Sequence, residues 1–166
     1  MIPGYRVLAQ RVGDDLEDIE RSVRRSERAW QAAQRAEDDQ DMFIDSAALN
    51  LHGFYAGVER LFEAIALQLD GALPQGEAWH RDLLEQMTFD LSGVRSPVIN
   101  LEVSHNLDEY WRFRHVVRNI YAEHLDPHRI GDLVAKLQPL WPQLKAELIR
   151  FAEFLEGVSR TDDSSH

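Results

Sequence analysis

The segment from Trp111 to His124 carries Arg112, Arg114, Arg118, His115, His124, Asn119 and Tyr121 on what the spacing predicts as one helix. Guanidinium groups hold phosphate through planar N–H forks, and imidazoles move protons near neutral pH. No phosphate loop, HExxH or GxSxG pattern accompanies them. The combination suits phosphodiester cleavage without a metal, which needs a base, an acid and a cation for the charged intermediate.

At roughly 100° per residue, Phe113, Val117 and Ile120 form a core stripe, with Arg114, Arg118 and Tyr121 beside it. His115 lies within one turn of Arg118 and Asn119. His124 falls off that face unless the last turn tightens. A blander reading stands beside this one. Arginines on a helix commonly form a solvated face, a terminal histidine complements the helix dipole, and Trp111, Phe113 and Tyr121 serve as core.

The elements that must position these residues are all helical. Tyr5, Leu8, Val12, Leu16, Ile19, Val23, Ser26, Trp30 and Ala33 recur every three or four residues, predicting a long amphipathic helix that ends near the polar run 37–41. A second stripe runs from Phe43 to Leu69, and Gly71 is placed to end it in the left-handed conformation. A shorter helix is expected from Glu77 to Leu91, burying Trp79, Leu83, Leu84 and Met87. A fourth is expected from Asn100 to Glu123. Asp126-Pro127 reads as N-cap and first position of the last helix, apolar from Ile130 to Val158, with a break or kink expected at Pro139 and Pro142. The expectation is a single all-α bundle of five or six helices over residues 1–158, its two longest helices antiparallel, and a disordered tail over 159–166.

The formal charge of −11 repels nucleic acid at long range, so any RNA reading needs a local basic patch. Residues 111–130 supply one. A second group, Arg21, Arg24, Arg25 and Arg28, alternates with Glu20 and Glu27 and reads as a solvated face with same-helix ion pairs. The chain has no cysteine, which excludes disulfides and thiolate chemistry. No apolar run reaches the ~20 residues of a membrane span. The first residues lack the basic-then-apolar build of a signal peptide, so a cytoplasmic protein is expected. Glu77 and His80 match the Glu-x-x-His spacing of carboxylate-bridged metal sites once, without a second copy; no metal and no cofactor is expected.

Arg118-Asn119, followed after four residues by His124, resembles the Arg-(four to six residues)-His signature of HEPN-domain ribonucleases. The stretches LHGFYAGVERLFEAIALQLDG (51–71), LPQGEAWHRDLLEQM (73–87) and FRHVVRNIYAEHLDP (113–127) together resemble the HepT-like branch of that superfamily, over the middle half of the chain. The resemblance implies a HEPN-like helical bundle and a homodimer in which the motif helices of two subunits meet around a composite RNA cleft. It implies a ribonuclease toxin of a toxin–antitoxin pair, cleaving RNA without metal, with an MNT-type nucleotidyltransferase antitoxin as partner. Arg118, Asn119 and His124 become the catalytic residues, and Arg112, Arg114 and His115 the RNA-binding ones. His124 of each subunit would serve as base and acid, Arg118 would bind phosphate, and Asn119 would orient the histidine or the ribose. Two basic helices meeting would also concentrate positive potential in an acidic protein. In the family, the partner adenylylates a tyrosine two residues after the motif histidine. Asp126 stands there in this chain, which leaves Tyr121, inside the motif, as the candidate. The competing readings are a non-catalytic helical module that docks a nucleotidyltransferase-type partner, and a bundle that binds a small molecule or metal.

Overall fold

The stripe from Leu8 to Ala33 becomes the inner face of α1 (Pro3–Arg35) in a computed structural model of the chain. The structure describes residues 3–119 and 125–164, with the backbone alone for Pro3, Val116, Arg118, Asn119, Asp162 and Asp163. Gln40 donates its side-chain N–H to the Ala33 carbonyl at 2.8 Å, satisfying one of the acceptors left open at the end of α1. The chain then turns into α2 (Gln40–Ile65), which continues as a π-helical turn, Ala66–Asp70. Gly71 closes that turn at φ 72° with its N–H on Ala66 O, as its type and place predict.

α3 (Trp79–Gln86) is shorter than the expected 77–91. Its termination has a long-range cause. Arg95, wholly buried, donates to the carbonyls of Gln86 and Phe89 at 2.9 Å each, taking acceptors that a longer helix would have used. The same guanidinium forms a two-pronged pair with Asp70 at 2.7 and 2.8 Å, tying the end of the π turn to the end of α3. A tight turn at Gly93 (φ 78°) lets Leu91 and Arg95 pair as the one isolated bridge; among the described residues there is no β-strand.

α4 (Leu101–Asn119) starts at Asn100, whose side-chain oxygen accepts from the Val103 N–H at 2.8 Å. α5 (Pro127–Asp163) starts as its sequence predicts, with Asp126 accepting from the His128 N–H at 3.0 Å and Pro127 in the first position. Of the break or kink expected at Pro139 and Pro142, the break is absent, and α5 runs through both. Each proline removes one N–H, freeing the carbonyls of Ala135 and Gln138. Those two residues and both prolines are exposed, so water can satisfy the freed acceptors while Leu137, Leu140, Trp141 and Leu144 hold the helix to the core. The boundary expected at 158 is not one either. α5 continues to Asp163, and Ser159 is buried beneath Arg6, whose Nε donates to its hydroxyl at 3.0 Å.

The two longest helices, α1 and α5, are antiparallel, as expected. Arg6 meets Ser159, Glu20 meets Lys145, and Trp30 lies over Gly131. α4 completes the layer through Tyr110, buried with its hydroxyl on Leu133 O at 2.7 Å, and through Phe54, whose ring meets those of Tyr110 and Trp141 edge-on. The result is the expected all-α bundle around one core. No helix among the described residues is long and apolar enough to cross a membrane.

Gly131 is where α5 needs a missing side chain. A Cβ there would stand 2.3 Å from the Trp30 ring. Gly131→Ala should therefore force the indole or the helix aside, at a cost of about 1–3 kcal/mol. Thermal unfolding should show a fall of about 2–4 °C per kcal/mol in a domain of this size. An unchanged midpoint would mean that Trp30 leaves its seat freely.

Candidate functional site

The second half of α2 is buried on nearly every side, through Phe54, Tyr55, Val58, Leu61, Phe62 and Ile65. Glu59 sits in that run with its side chain only 3 % exposed. A buried carboxylate must be paired to stay charged. Glu59 is paired twice, once from each of two other helices. His80 of α3 lies with Nδ1 2.6 Å from Oε2, and Arg114 of α4 places Nη1 on Oε1. Both partners have side chains 17 % exposed. A carboxylate that pairs with a guanidinium only accepts hydrogen bonds, so Nδ1 of His80 is the donor and Nε2 is left facing away from Glu59. The Nε of Arg114 is buried with no hydrogen-bond partner among the described residues.

Aromatic rings surround this cluster. The indole of Trp79 covers His80 at a centroid distance of 3.6 Å, and Trp111 lies 5.9 Å from the same imidazole. Trp111 also stacks on His115, one turn further along α4, at 6.3 Å. Four rings thus run from α3 to an exposed histidine on α4. Tyr55, one turn before Glu59, has its phenol pushed up by burial and, secondarily, by the Glu59 charge. The Glu63 carboxyl is raised for the same two reasons in the same order. Burial along this side of α2 thus disfavours charge at Tyr55 and Glu63.

The cluster lies immediately before the motif. Arg118 and Asn119 occupy the last turn of α4, one turn after Arg114 and His115. The side chains of Arg118 and Asn119, and all of Tyr121 and His124, lie outside the described residues. Of the residues expected to bind RNA, Arg112 is exposed and pairs with Asp108 at 2.6 Å, and His115 is exposed beside Trp111. Arg114 instead turns inward to Glu59. Tyr110, on the same helix, belongs to the core. Phe113 and Val117 pack on the core as the stripe predicts. Among the described residues no group of three or more His, Asp or Glu side chains could hold a metal; His80, matched with Glu77 by spacing, is committed to Glu59.

Glu59 and Trp79 have no functional role in the sequence reading, and His80 enters it only as half of a metal pattern. A signal existed. Glu59 falls one turn after Tyr55 and one before Phe62–Glu63, a carboxylate inside an aromatic and aliphatic face.

A family model described as HepT-like protein matches residues 46–155, from the first turns of α2 through most of α5. The chain belongs to the HepT-like family of the HEPN superfamily. The match encloses Glu59, His80, Arg114 and the whole 118–124 motif, so the ion-pair cluster and the motif both lie in the part of this HepT-like chain that defines the family. No curated protein and no solved structure matches it.

Proposed function

We propose that this HepT-like protein is a metal-independent endoribonuclease, the toxin of a cytoplasmic toxin–antitoxin pair, working as a homodimer through Arg118, Asn119 and His124. The observation that carries the reading is the family match over residues 46–155, which spans the complete Arg118-Asn119-x4-His124 motif.

In this reading the RNA 2′-hydroxyl loses its proton to one His124 imidazole and attacks the adjacent phosphorus. The second subunit's His124, protonated, gives a proton to the departing 5′ oxygen. Arg118 stabilises the charge on the phosphorane oxygens, and Asn119 orients the imidazole or the ribose. Arg112 and His115, both exposed, extend the grip on the backbone. Arg114 contributes from beneath by anchoring α4 to Glu59. The antitoxin is a nucleotidyltransferase of the MNT type, and Tyr121 is its acceptor for AMP.

Purified protein should cleave RNA in EDTA, more slowly at high salt as phosphate contacts are screened. Light scattering should give a dimer at micromolar concentration. Incubation with the antitoxin and ATP should add AMP to the intact mass, and Tyr121→Phe should remove that adduct. A chain that docks the nucleotidyltransferase but cleaves no RNA would be the helical binding module instead.

A further inference from the structure

α1 carries seven arginines, and they divide into two sets. Arg6, Arg11, Arg21 and Arg24 have partners: Ser159, Asp15, Asp18 and Glu20. Arg25, Arg28 and Arg35 have no acidic partner among the described residues. All three line one groove of about 460 Å³ between the C-terminal third of α1 and the start of α2. Its floor is Ala29 and Ala32, its far wall is Phe43 and Ser46, and no carboxylate lines it.

The spacing explains why Arg25 and Arg28 are unpaired. Residues three and four away on a helix are the side-chain neighbours. For Arg25 these are Arg21, Ser22, Arg28 and Ala29, and for Arg28 they are Arg24, Arg25, Gln31 and Ala32. Like charges so placed repel. Arg35, in the last turn, complements the helix dipole, but that field does not reach back two turns to Arg28. In a chain of net charge −11, this groove concentrates positive charge with no internal use for it. Phe43, 38 % exposed, adds an aromatic surface beside the cations. Cations spaced along a groove with an aromatic wall are what single-stranded nucleic acid requires: phosphates on the arginines, a base on the ring.

We propose that the groove of Arg25, Arg28, Arg35 and Phe43 is an RNA-strand binding site separate from the motif. It rests on the ribonuclease reading only for the choice of RNA as the occupant. α1 lies outside the family match, so the site belongs to this chain's own N-terminal helix. It faces away from α5, since Arg28 and Arg35 lie roughly 140–160° around α1 from Trp30 at ~100° per residue, and Trp30 packs on Gly131. A strand held there is held by the flank of the substrate, not at the bond that is cut.

The test is binding, not cleavage. A fluorescent 2′-O-methyl oligoribonucleotide, which lacks the attacking hydroxyl, is titrated against the full chain across a salt series. Replacing Arg25, Arg28 and Arg35 together by Gln should weaken binding roughly tenfold or more at low salt and flatten the log–log salt slope by about 2, at ~0.7 per phosphate contact. Phe43→Ala should weaken it about fivefold or more. Circular dichroism controls for folding. An unchanged affinity and slope in the triple variant overturns the proposal. Loss of ATP binding in that variant, with oligonucleotide binding intact, overturns it in favour of a free nucleotide. Equal displacement by an acidic peptide overturns the nucleic-acid assignment. Groove-dependent binding by a chain that cleaves nothing would leave this site standing and remove the ribonuclease reading alone.

Discussion

His124→Ala and Arg118→Ala should each abolish RNA cleavage while leaving helicity and dimerisation intact. Removing a general acid–base group costs about 10²–10⁴-fold. Losing a charge-stabilising donor costs about 10²–10³-fold. A solvated arginine or a dipole-complementing histidine would change the rate little, so the two readings of this helix differ by orders of magnitude. His128 is the internal control. It is exposed in the first turn of α5, its backbone N–H held by Asp126, and His128→Ala should be mild. Wild-type cleavage by His124→Ala would transfer the role to His115. Wild-type cleavage by both single histidine variants would defeat the assignment.

What the sequence made legible follows from how local each signal is. The α1 stripe, Gly71 and Asp126-Pro127 act through their own turns, and the structure follows each of them. The prolines of α5 do not break the helix, because their cost depends on where the freed carbonyls point, which is a tertiary fact. α3 stops early because of Arg95, nine residues beyond its last turn. The largest gap is at the site. Glu59 meets His80 across 21 positions and Arg114 across 55, on three helices whose faces were legible but whose rotations about their axes were not. Arg114 looked like a phosphate ligand because charge on a helix signals solvent. Its partner was hidden in a run that reads as apolar.

That hidden pair carries the other large effect. Glu59→Ala should lower stability by about 3–5 kcal/mol, because it strands the Arg114 charge in a buried site. Arg114 has little to fall back on, since its Nε is already without a partner among the described residues. At about 2–4 °C per kcal/mol, the unfolding midpoint should drop by roughly 6–20 °C. Arg114→Ala should cost a similar amount, by leaving Glu59 with His80 alone. Replacing both residues by apolar ones of similar size, Glu59→Leu with Arg114→Met, should recover most of the loss, since buried ion pairs often yield to good packing with no net penalty. A double-mutant cycle then isolates the coupling. The recovered variant also separates support from chemistry. If the pair sets the rotation of α4, the turn bearing Arg118 and Asn119 loses its register even when stability returns. Cleavage should then stay depressed in kcat, with KM little changed. A midpoint that moves less than about 2 °C in Glu59→Ala would show that the pair is effectively solvated, and would remove Glu59 from the account of how this helix is held.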